Sequence, residues 1–118
     1  MRPDWFARPV LFVADVNRTL DFYVNKLGFR QIWTHQENDQ TLCGQADRQT
    51  CALIFSSQWP DKVGTGAMFI SLGDDNELDK LRAELEGKGV EVMEGEWGYK
   101  LLVVRDPDGN QLWFNYTA

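Results

Sequence analysis

Two aspartates, Asp15 and Asp74, each stand immediately before a helical pattern, and two glycine–apolar pairs, Gly28-Phe29 and Gly89-Val90, each stand after one. The spacing makes the chain an internal repeat with a period of about 60 residues. Each half reads βαβββ. One such half leaves a sheet face that it cannot cover alone, so two halves must pair, within the chain or with a second copy.

In the first half, 9–14 is a short apolar run fit for a buried strand. Asp15 and Asn17 are helix caps, and Val16, Leu20, Tyr23 and Leu27 recur at helical spacing. Gly28 ends that helix. Three strands are expected over 29–35, 40–44 and 50–56, with turns at Glu37-Asn38-Asp39 and Gln45-Ala46-Asp47-Arg48. A polar loop, 57–65, carries Trp59 and Pro60. The second half predicts a strand over 67–72, a helix capped at 74–76 with a Leu78, Leu81, Leu85 stripe, and a strand over 90–93. It closes on a hairpin whose turn is Arg105-Asp106-Pro107-Asp108-Gly109-Asn110, where Pro107 pre-sets φ and Gly109 is free to take φ > 0. The expected class is α+β. One domain is expected over 1–118, with repeat 1 about 8–56 and repeat 2 about 66–116.

A formal net charge of −6 argues against nucleic acid, which demands a basic stripe to engage phosphates. No apolar run reaches membrane-spanning length and no leader pattern opens the chain, so a cytoplasmic protein is expected. Cys43 and Cys51 flank an expected hairpin turn and read as reduced, packed thiols facing each other across strands. Five Trp in 118 residues is a heavy aromatic load, expected to divide between core and binding surface.

Val13-Ala14-Asp15, Leu20-Asp21-Phe22-Tyr23 leading to Lys26-Leu27-Gly28-Phe29, and the Arg105–Asn110 turn, in this order and on this repeat, resemble the vicinal oxygen chelate superfamily. That superfamily includes glyoxalase I, extradiol dioxygenases and bleomycin resistance proteins. The resemblance covers essentially the whole chain. It implies two βαβββ modules forming a curved mixed sheet with a concave binding face. Enzymes of the superfamily hold a divalent metal through His, Gln or Glu on four strands of that face. The matching positions here are Arg8, Ile54, Ala67 and Trp113, none a usual ligand of a first-row divalent metal. The single histidine, His35, falls elsewhere and reads as a surface residue. No metal or other cofactor is expected.

What remains is similar to the bleomycin resistance branch, which binds a drug without turning it over and works as a homodimer. Trp97-Gly98 lies nine residues before Asp106, much like the Trp-Gly preceding the same turn in that branch. Trp33 falls where an aromatic lines the branch's drug groove. By resemblance, Trp33 and Trp97 stack on a flat heteroaromatic ligand, and Glu94 and Glu96 attract a cationic tail. Ile32, next to Trp33, is the core candidate of that pair. Trp113 either plugs the vacated metal position or serves as a stacking platform. Trp59 follows an expected edge strand, and Arg8 stands at the mouth, able to hold an anion or to pair with an acid. Ser56 and Phe69, two positions beyond Ile54 and Ala67, complete the ligand-binding set.

Nothing in the spacing of Glu96, Tyr99 and Lys100 requires acid–base catalysis, and the Asp106, Asp108 pair belongs to the turn. The first expectation is therefore a metal-free, homodimeric binding protein that sequesters an aromatic, cationic compound such as a bleomycin-type antibiotic. A superfamily enzyme is the second. A sensing or structural module without a small-molecule role is the third.

Overall fold

Eight strands and two α-helices follow one another in the order β1(Val10–Phe12), α1(Val16–Asn25), β2(Arg30–Glu37), β3(Gln40–Arg48), β4(Cys51–Ser56), β5(Ala67–Leu72), α2(Asp75–Gly87), β6(Met93–Glu96), β7(Lys100–Arg105) and β8(Gln111–Tyr116). The structure, a computed structural model, describes residues 5–96 and 100–116. Each half closes its own four-stranded mixed sheet, ordered β1-β4-β3-β2 and β5-β8-β7-β6. In each, the first strand runs parallel to the last and the rest are antiparallel. This is the expected α+β pair of βαβββ modules.

Local chemistry sets the helices. Asp15, extended, accepts the Arg18 backbone N–H at 3.0 Å, and Asp74 accepts that of Glu77 at 2.9 Å, so both repeat aspartates cap. Gly28 and Gly89 follow with φ of 73° and 75°. Val16, Leu20, Tyr23 and Leu27 from the first half join Ile70, Leu81, Leu85, Leu112 and Phe114 from the second in one buried cluster. Both sheets therefore turn their helix-side faces inward to a shared core. Period-2 alternation then turns their other faces away from it.

Polar contacts fasten the halves where the core thins out. Asp108 accepts from the Ala14 backbone N–H at 3.2 Å and from Arg18 at 2.7 Å, placing the β7–β8 turn against the start of α1. Asn110 donates to the Phe12 carbonyl at 3.1 Å and accepts from the Gly66 N–H at 2.8 Å. On the other side Arg48 grips Glu84 with two hydrogen bonds of 2.8 and 3.0 Å.

Four expectations need correction. Residues 45–48 are not a turn but the end of β3: Ala46 is fully buried in the core, and the reversal comes at Gln49, with φ 53°. Ile32 is not core. The β2–β3 register shifts between Gln31 and Trp33, which lifts Ile32 out of the alternation and leaves it exposed. The strand after α2 begins at Met93 rather than at 90, because Val90 is drawn into the core and its N–H returns to the Leu85 carbonyl at 3.0 Å. Cys43 and Cys51 do not oppose each other. Their partners across β3–β4 are Ser56 and Arg48, and both are free thiols.

Candidate functional site

The outer face of the first sheet carries a row of four residues in register across all its strands: Val10, Ile54, Gln45 and Trp33. The next row is Phe12, Ser56, Cys43 and His35. Arg8, just ahead of β1, reaches back over the first row to Gln45 at 3.0 Å. Trp33, Ile54, Ser56 and Arg8 are thus gathered on one face. Trp33 keeps 37% of its surface exposed and Val10 44%, a large apolar outlay for residues next to buried Leu11 and Phe55.

The second sheet repeats the arrangement. Phe69, Trp113, Val103 and Met93 form a row across β5, β8, β7 and β6, and Ala67 lies in the adjoining row with Gln111 and Arg105. Their neighbours Ile70, Leu112 and Phe114 belong to the core, so Ala67, Phe69 and Trp113 share the outer face. The Trp113 indole N–H donates to Gln111 at 2.8 Å, which sets the ring's orientation from its own strand. Half-buried as it is, Trp113 fits either role expected of it.

The strand before Trp59 is not the expected edge strand. Strand β4 is interior, between β1 and β3, and the connecting loop swings Trp59 over Phe12, edge to face at 6.0 Å. Lys62, from the short 3-10 turn Pro60–Lys62, lies 5.6 Å from its ring centroid. Trp97 lies outside the described residues. Glu94 does not face the ligand row: it pairs with Arg82 of α2 at 2.8 Å, on the helix side of its sheet, which removes it as an anchor for a cationic tail. His35 is exposed beside Glu37, at 3.6 Å.

The polar centre of the first face is Gln45, which the sequence reading assigned to a turn. It is almost fully buried, accepts from both Trp33 Nε1 at 2.9 Å and Arg8, and donates to Asp47 at 2.9 Å. The available signal was the small, apolar alternation of Leu42, Gly44 and Ala46, which runs the strand past residue 44.

A divalent metal does not fit here. The four family positions offer a guanidinium, two alkyl groups and an indole. Among the described residues no three His, Cys, Asp or Glu side chains cluster as a metal site would require. Burial pushes the Cys51 thiol up, away from the thiolate, but that thiol packs against the core on the helix side. A cavity of about 300 Å³ opens between the halves on the helix side, lined by Leu27, Phe29, Arg48, Cys51, Ile70 and Leu85, apart from both outer faces.

Comparison with known proteins agrees with this architecture. The fold superposes with a TM-score of 0.78 and 23% identity, over 100% of both chains, on the bleomycin-binding protein of Streptomyces verticillus complexed with copper(II)-bleomycin. It matches TnmS3, an antibiotic binding protein from Streptomyces sp. CB03234, at 0.78 and 20%, again over 100% of both. Lactoylglutathione lyase from Agrobacterium tumefaciens matches at 0.72 and 18%, over 96% of this chain and 94% of that one. No curated protein sequence matches the chain. The model of the Glyoxalase/Bleomycin resistance protein/Dioxygenase superfamily matches residues 3–114, and the chain belongs to that family.

Proposed function

We propose that the chain is a metal-free binding protein that sequesters an aromatic small molecule, with bleomycin-type antibiotics the first class to test. The observation that carries the reading is the Trp33 row: an indole fixed by its N–H yet 37% exposed, in one row with Gln45, Ile54 and Val10. A ring held that way offers contact area with no rotamer left to freeze. The alternative, a superfamily enzyme, has a lyase among its fold neighbours. It must work without the four ligands on which the family's metal chemistry depends.

Both outer faces turn away from the shared core, so one copy presents two half-grooves rather than one groove. A homodimer that lays the Trp33 face of one copy against the Trp113 face of the other completes two grooves at once. Titration of tryptophan fluorescence with metal-free bleomycin, repeated in Trp33→Ala and Trp97→Ala, tests the binding. Saturable quenching near one ligand per chain, lost in both variants with the drug recovered intact, supports sequestration. Product formation supports the enzyme. Sedimentation at the same concentrations tests the dimer.

A further inference from the structure

Gln45 lies between two groups that can only donate. The Trp33 indole N–H and an Arg8 guanidinium N–H meet the same amide oxygen at 2.9 and 3.0 Å, so the atom between them must be oxygen, and the amide nitrogen turns to Asp47. Two consequences follow. Trp33 has spent its one polar atom inward and offers an approaching molecule only carbon and π surface. Among the described residues Arg8 uses one donor of five, and its Cζ lies 5.4 Å from the centroid of the Phe6 ring. No described carboxylate forms an ion pair with it. Arg30 stands opposite Asp47 across β2–β3, so Arg8, Arg30 and Asp47 leave this part of the face with one positive charge.

Resting on the groove proposed above, but not on bleomycin as its occupant, we infer that its ligand carries an acidic oxygen on or beside the aromatic ring, an aryl carboxylate or its equivalent. The ring lies on Trp33 and the oxyanion takes the free edge of the Arg8 fork. Gln45 is a positioning residue: it holds the indole N–H and a guanidinium N–H within 2.9 and 3.0 Å of one oxygen. The chain's overall charge of −6 does not oppose this at contact, since salt screens it beyond about 8 Å.

The test is a matched pair of probes, 2-naphthoate and 2-naphthamide, titrated by fluorescence and calorimetry into the full chain and into Trp33→Ala, Arg8→Gln and Arg8→Lys. The acid is expected to bind about tenfold more tightly than the amide. Arg8→Gln should bring the acid down to the amide's affinity, while Arg8→Lys keeps part of the preference. Equal binding of acid and amide by the wild type, both lost in Trp33→Ala, retains the groove and overturns the oxyanion. A preference that survives Arg8→Gln overturns it too. Binding of neither probe, or binding indifferent to Trp33→Ala, removes the groove and this inference together.

Discussion

Tyr23 and Asp106 are 83 positions apart in the chain and meet in its interior, where the phenol donates to the carboxylate at 3.3 Å. The same carboxylate accepts the backbone N–H of Asp108 and of Asn110, each at 2.9 Å, and the Asn110 amide at 3.0 Å. One side chain thus organises the β7–β8 turn and ties it to α1. Asp106→Ala would leave these buried donors without their acceptor and is expected to cost about 3 kcal/mol in urea unfolding. Tyr23→Phe removes a single bond and should cost about 1 kcal/mol.

The acid limb of stability follows from two carboxylates with opposite signs. The hydrogen bond and charge of Arg48 hold Glu84 below its ordinary 4.5, so its contribution is present above that pH and is lost as pH falls through the folded value. Burial raises Asp106 above its ordinary 3.8, against the lowering by its hydrogen bonds. Its contribution is present below 3.8 and is lost as pH rises through the folded value. Glu84 is partly exposed, so Glu84→Gln should cost only about 0.5–1 kcal/mol at neutral pH. The difference from wild type should vanish in unfolding curves taken well below pH 4.5.

Two glycines should respond in opposite directions to alanine. Gly64 has φ of 75°, and a Cβ there would collide with the Asp108 carbonyl oxygen. Gly64→Ala is expected to lose about 2 kcal/mol or more. Gly87 ends α2 with nothing within 4 Å of its would-be Cβ, and Gly87→Ala should gain about 0.5 kcal/mol. Thermal melts of the two variants suffice.

Gln45→Met keeps volume but deletes the amide that fixes Trp33. Stability should fall by about 1–2 kcal/mol, because the indole and Arg8 lose a shared acceptor. The indole should also become more mobile. Lower Trp33 fluorescence anisotropy, in a background with the other tryptophans replaced by phenylalanine, checks this.

Much of the fold was legible because its determinants are local. Asp15 and Asp74 announce their helices three residues ahead of the N–H groups they cap, and Gly28 ends the first helix with φ of 73°. What was missed depends on distant partners. Gln45 reads as turn chemistry until Arg8, 37 residues away, and Trp33 claim its oxygen. Ile32 obeys alternation until a bulge in the pairing with β3 takes it out of register. Trp33, Ile54, Ser56 and Arg8 were named from the sequence by resemblance, and the register shows which of them share a row. Glu94 was misplaced because Arg82, on a helix packed behind its strand, outcompetes the groove for it.

The backbone passes from one half to the other once, through the loop between β4 and β5. Among the described residues, what else joins the halves is noncovalent: the shared core, the Asp108 and Asn110 bonds, the Tyr23–Asp106 and Lys26–Lys88 bonds, and the Arg48–Glu84 pair. The chain is in this sense two peptides that happen to be spliced. Nicked within that loop and kept at high concentration, it has the contacts for fragment complementation. The same contacts could be satisfied between halves of different copies, so the loop, more than any binding residue, sets whether the protein closes on itself or exchanges partners.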